Sequence, residues 1–190
     1  MLNQETFTIL STRAPLVEVS GDGKIVALGD GISRKFQGFE LRHDPGFLSV
    51  YEWPSAKLLQ QLRHAGSVQI MKFSKDNRFI LTVDDEGAKV WEIKSGSEVF
   101  RVRNTAIKYA SFADDEKHIV VVAEDPARGF FARNVSTRGV FARRFLWTAD
   151  DLLGEACRVL PLNLDPQEWA TRMPEEPYHL LCPSLPDANR

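Results

Sequence analysis

The sequence predicts an all-β repeat architecture of about three four-stranded antiparallel units, followed by a short two-helix tail. Two observations carry this. A strand–turn–strand pattern recurs around residues 16–28, 70–82 and 109–121. After Trp147 the apolar spacing changes from strand alternation to a helical period. The 190-residue chain is 43% hydrophobic and 26% charged, ordinary for a globular protein and too apolar for disorder. A net charge of −2 argues against bulk attraction to nucleic acid or to a membrane surface. The longest wholly apolar run, residues 119–123, is too short to cross a bilayer. Residues 1–5 lack a basic start before an apolar stretch, so no secretion signal is expected.

The first two strands of each unit flank a tight turn. The turns are Gly21-Asp22-Gly23, Lys75-Asp76-Asn77 and Asp114-Asp115-Glu116. Gly, Asn and Asp suit such turns because they accept positive φ or bond their own backbone. Two further strands follow in each unit: 48–53 and 57–62 in the first, 88–93 and 98–102 in the second, 129–135 and 140–143 in the third. Phe73 and Phe112 are 39 positions apart, whereas Val19 and Phe73 are 54 apart, the excess lying between Asp30 and Gly46. In the tail, Thr148 is placed to cap a helix carrying Leu152, Leu153, Ala156, Cys157, Val159 and Leu160, with Pro161 as its stop. Asp165-Pro166-Gln167-Glu168 is a second helix start, with Asp as cap and Pro at the first position.

The second unit resembles a WD-repeat blade. Leu62-Arg63-His64-Ala65-Gly66 looks like the family's Gly-His entry, with Arg63 at the Gly position. Phe73-Ser74-Lys75-Asp76-Asn77 is similar to its Phe-Ser-Pro-Asp-Gly turn, and the stretch from Thr82 to Trp91-Glu92 is similar to its Trp-Asp ending. The resemblance implies a partial WD-repeat β-propeller over residues 1–147, with blades near 14–62, 64–104 and 105–146, and a helical tail over 148–190. It also implies an internal hydrogen-bond chain of His64, Thr82, Asp85 and Trp91, which would satisfy a buried indole, hydroxyl and imidazole together. Tyr51 and Ala132 stand where the other blades would carry Trp. The tail resembles the segment that ends many multidomain bacterial WD-repeat proteins, through Leu153-Gly154-Glu155-Ala156-Cys157-Arg158, Asn163-Leu164-Asp165-Pro166-Gln167-Glu168-Trp169 and Cys182-Pro183-Ser184-Leu185-Pro186. Cys157 and Cys182 recur in that segment and are expected to be buried thiols. Together with their spacing, this points to a reducing, cytoplasmic setting rather than a disulfide framework or a zinc site.

Closed propellers need about four to eight blades. Three blades leave two faces without neighbours, so the chain is expected to be part of a longer propeller, to self-associate, or to cover a face with its own tail. Apolar residues at successive positions of 119–123 suggest burial on both faces of that strand.

No catalytic, metal or cofactor motif appears. His43, His64, His118 and His179 share no metal-ligand spacing, and there is no nucleophile elbow, phosphate loop or dinucleotide fingerprint. The insertion offers Phe36, Phe39, Arg42 and Phe47, an aromatic and Arg mixture suited to partner contact or to packing on the propeller's own side. Arg128, Arg133, Arg143 and Arg144 lie in a stretch without acidic residues. They could form an anion patch, although the acidic tail after Asp150 is the nearer match. The reading is a non-catalytic protein-interaction scaffold or sensor with no cofactor, no membrane contact and no nucleic-acid partner. The alternative is a fragment of a propeller hydrolase, with inner strands offering Lys72, Tyr109 and Ser111.

Overall fold

The structure is a computed structural model and describes residues 16–29, 35–36, 39–40, 46–104, 106–124 and 139–186. The chain divides after Phe145 into two compact units, two residues before the boundary expected from sequence. The first unit is built of antiparallel sheets. Its strands begin with β1 (Leu16–Val19) and β2 (Ile25–Gly29), a short ribbon of β3 (Lys35–Phe36) and β4 (Phe39–Glu40), then β5 (Phe47–Glu52) and β6 (Leu58–Arg63). β7 (Ile70–Phe73), β8 (Phe79–Asp84), β9 (Gly87–Glu92) and β10 (Glu98–Arg103) follow, then β11 (Ile107–Phe112), β12 (His118–Glu124) and β13 (Val140–Leu146). The first sheet runs β1-β2-β5-β6, the second β7-β8-β9-β10 and the third β11-β12-β13.

The inner hairpin is the same device three times. The backbone N–H groups of Ser20, Ser74 and Ala113 donate to the carbonyls of Ile25, Phe79 and His118. The Asp22, Asp76 and Asp115 carboxylates accept from the backbone two residues on, at Lys24, Arg78 and Lys117. The last turn residue has positive φ in each case: Gly23 at 70°, Asn77 at 58° and Glu116 at 56°. This is why the turns are rich in Gly, Asn and Asp. A second device closes each complete outer hairpin. Glu52 accepts from the Ser55 hydroxyl, and Glu92 from the Ser95 hydroxyl. Ala56 and Gly96 supply the positive φ there.

Stacking of the sheets makes the core. Ala27, Leu48, Val50 and Leu62 of the first sheet pack on Val68, Met71, Ile80, Trp91 and Ile93 of the second sheet and the loop before it. Polar contacts fix the register of the stack. The Gly21 N–H donates to Asn77 Oδ1 at 3.0 Å, and the Lys75 N–H donates to Glu116 Oε2 at 3.0 Å. The inner strand β7 neighbours both β1 and β11.

The third sheet departs from expectation. β13 lies directly beside β12, so residues 140–146 take the place expected for 129–135, which lie outside the described residues. Phe145 then meets Phe100 of the second sheet, their ring centroids 6.2 Å apart. β12 is not equally buried on both faces: Ile119, Val121 and Ala123 are buried and the residues between them only partly so. Its two sides therefore have different neighbours, which apolar composition alone did not separate.

The second unit holds α1 (Ala149–Val159) and α2 (Pro166–Arg172). Thr148 caps α1 by accepting from the Asp151 N–H, and Asp165 caps α2 by accepting from Gln167 and Glu168. Each cap satisfies donors that a helix start leaves unpaired. Trp169 is 2% exposed and is this unit's centre. Its indole N–H donates to the Glu176 carbonyl, and Tyr178 and His179 pack edge-on against its ring.

Asn77 serves both its own turn and the neighbouring sheet. Asn77→Val should cost about 1–3 kcal/mol, through strained positive φ and the lost bond from Gly21. Asn77→Gly keeps the φ and should cost less. Urea denaturation followed by tryptophan fluorescence separates the two.

Candidate interaction site

The second sheet ends in a buried polar cluster beneath the β8–β9 turn. Ile80, Thr82 and Asp84 alternate onto one face of β8, and Lys89 and Trp91 share that face on β9 through the pairs Thr82–Lys89 and Ile80–Trp91. Asp84 is the hub. His64 Nδ1 lies 3.1 Å and Lys89 Nζ 2.6 Å from its Oδ2, while its Oδ1 accepts from the Glu86 and Gly87 backbone. Lys89 and Asp84 are both 3% exposed. Burial alone would raise the Asp84 carboxyl, but the hydrogen bonds from His64, Lys89 and the Glu86 N–H outweigh it. The group is held well below its ordinary value of 3.8.

The sequence placed Asp85 in this cluster; the structure places Asp84 there. Asp85 instead accepts from Gln69 Nε2 at 3.1 Å. The reason is strand parity. Asp84 is two residues beyond Thr82 and points the same way, whereas Asp85 starts the turn. The cluster also holds two pairs rather than one continuous chain. Trp91 Nε1 donates to Thr82 Oγ1 at 3.0 Å, and His64 pairs with Asp84. His64 Nε2 is buried without a hydrogen-bond partner among the described residues, and the ring stands edge-on to Trp91 at 5.3 Å. The loops above pack at backbone contact: a Cβ on Gly66 would strike the Asp85 carboxylate, and one on Gly46 the Gly66 carbonyl.

Above this cluster Glu86 is half exposed and pairs with Lys89 and Arg101. Arg101 is itself held by Glu98, which raises the guanidinium further. Of the expected partner contacts, Phe36 and Phe39 are backbone register partners in the β3–β4 ribbon. Arg42 lies outside the described residues, and Phe47 opens β5 opposite Arg63. The expected anion patch is not assembled among the described residues. Arg128 and Arg133 lie outside them, Arg143 sits 5.0 Å from the Phe141 ring centroid, and Arg144 pairs with Asp115 at 2.7 Å. On the inner strands, Lys72 meets Glu18 of β1 at 2.9 Å, a carboxylate that the sequence reading did not place there.

The second unit overturns the thiol expectation. Cys157 and Cys182 form a disulfide, their Cα atoms 5.4 Å apart. Asn163 draws the two segments together. Its side-chain amide donates to the Cys182 and Leu185 carbonyls, and its Oδ1 accepts from the Cys182 N–H. Spacing alone could not show this, because a 25-residue separation fits many arrangements.

No family model matches the chain, and no curated protein matches it. Among solved structures, the Myceliophteria thermophila Cps50 (Swd1) β-propeller domain superposes with a TM-score of 0.51 at 17% identity, covering 74% of this chain and 41% of that one. The fold is that of β-propeller blades. A eukaryotic initiation factor is also similar, with a TM-score of 0.48, 14% identity and coverage of 72% of this chain and 34% of that one. The chain thus spans less than half the length of that Cps50 propeller domain. No described helix is long and apolar enough to cross a membrane.

Asp84→Ala should cost about 3–5 kcal/mol, because it strands Lys89 as a buried unpaired charge. Asp85→Ala should cost under about 1 kcal/mol, as expected for an exposed hydrogen bond. With its folded value depressed, Asp84 contributes stability that is complete above its unfolded value of about 3.9. That stability is lost as pH falls toward the lower folded value. Asp84→Asn should flatten this acid limb in a series of urea midpoints against pH.

Reduction of the disulfide, or Cys157→Ser, should destabilise the second unit by about 3 kcal/mol for a loop of this size. α1 has 11 residues and no fully buried side chain, and isolated helices under ~12–15 residues are marginal. Helical ellipticity should therefore fall when dithiothreitol is added, with the sheet signal unchanged.

Proposed function

We propose that the chain is the partial propeller of a bacterial WD-repeat protein and acts as a non-catalytic protein-interaction scaffold or sensor. One observation carries this reading. His64, Asp84 and Lys89 of the second blade are buried and consumed by one another at Asp84, which stiffens the blade end instead of facing a substrate. A rigid frame beneath exposed, charged turns is how repeat folds present binding loops. The Trp91–Thr82 and His64–Asp84 pairs support the WD-repeat assignment, and the tail motifs support the bacterial one. The contact surface is the end of the second blade, with Glu86 and Arg101, and the insertion with Phe36, Phe39 and Arg42. A cytoplasmic location belongs to the same reading, with the Cys157–Cys182 bond then forming only under oxidising conditions.

A second reading, a hydrolase fragment, has one observation in its favour: the Lys72–Glu18 pair on the inner strands. The two are separable by experiment. A photo-crosslinking residue replacing Phe39 or Glu86 should capture a discrete protein in cells, while one replacing Ser55 on the turn between β5 and β6 should not. Turnover of ester, peptide or phosphoester substrates by the purified chain, abolished by Lys72→Ala, would replace the scaffold reading with the enzymatic one.

A further inference from the structure

The blade-to-blade contact occurs twice within the chain, and the same surface recurs once more on the first blade. In the second blade, Met71, Phe73, Ile80 and Trp91 form the face turned toward the first, and Met71 and Ile80 are 3% and 0% exposed. In the third blade the equivalent positions of the repeat are Ala110, Phe112 and Ile119, and Ala110 and Ile119 are both 0% exposed. In the first blade the equivalents are Val17, Val19, Val26 and Tyr51. They share one face through the register pairs Val19–Val26 and Val26–Tyr51. Here Val17 and Val19 are 50% and 52% exposed, and Leu58, opposite Tyr51, is 49% exposed.

The complementary half of the contact is also present. The side the first blade turns toward the second carries Leu16 and Ala27. The repeat places Tyr109 and Val120 at the same positions of the third blade, alternating with the buried Ala110 and Ile119. Tyr109 is 50% exposed. One chain thus displays both partners of an interface it already uses internally.

We infer that the Val17, Val19 and Tyr51 face of the first blade docks the Tyr109 face of the third blade of a second copy, so that two chains close one ring. Continuity with the internal interface names the occupant: it must be a blade of this repeat presenting the Tyr109 side. A head-to-tail contact made twice around a two-fold axis closes on itself, leaving no blade face open. The inference does not rest on the scaffold reading, which concerns the turns and the insertion.

Light scattering on the eluting full chain measures the mass. A dimer at twice 21.5 kDa is expected. Val17→Glu with Val19→Glu should convert it to a monomer with unchanged circular dichroism. Tyr109→Arg, on the other half of the contact, should do the same, which keeps the test intact if the first variant fails to fold. A folded monomer at the highest soluble concentration would overturn the inference, as would a dimer indifferent to both substitutions. A ladder of masses rising with concentration would overturn ring closure, because it reports an open stack.

Discussion

The two four-stranded sheets of the first unit carry apolar residues on both faces, and a sheet of this size is stable only when such faces are covered. This constraint governs the rest of the first unit. Ala27, Leu48 and Val50 are buried because Val68, Met71 and Ile80 lie against them. The turn-to-turn bonds from Gly21 to Asn77 and from Lys75 to Glu116 have the right reach only once that packing sets the spacing. The polar cluster under the β8–β9 turn is buried, with His64, Thr82, Asp84 and Lys89 each 3% exposed or less. A buried carboxylate is tolerable only with its cations and backbone donors in place.

The Asp84 hub and the inner turns do different work. The turns are local: each closes with bonds inside a few residues and would form in much the same way in any such hairpin. The hub is not local. It joins His64 before β7, Asp84 at the end of β8 and Lys89 in β9, tying the entry loop of the blade to its centre. The loops above pack at backbone contact around Gly46 and Gly66, so the blade end is rigid where it meets solvent.

The second unit solves the problem of a small core by other means. Among the described residues Trp147 and Trp169 are its large buried rings, too little to hold two short helices by burial alone. Capped helix starts, the Asn163 bonds and the Cys157–Cys182 link supply the remainder. The tail motifs that stand out in the sequence are these elements: the Asp-Pro helix start, the tryptophan, the asparagine and the two cysteines.

What the sequence by itself determined is everything governed by near neighbours. The hairpin turns follow from Gly, Asn and Asp at positions of positive φ, the helix starts from Thr148 and Asp165, and the blade repeat from the spacing of Phe73 and Phe112. The Trp91–Thr82 pairing was legible through its motif. What only the tertiary structure decided depends on which distant segments meet. Strand parity turned Asp84 inward and Asp85 outward, a signal present in the alternation of Ile80, Thr82 and Asp84 but overridden by the motif's spacing. β13 settled beside β12, Glu18 came to face Lys72, Arg144 was taken up by Asp115, and two cysteines 25 residues apart were joined. Residue type states what a side chain needs; packing alone states which distant group supplies it.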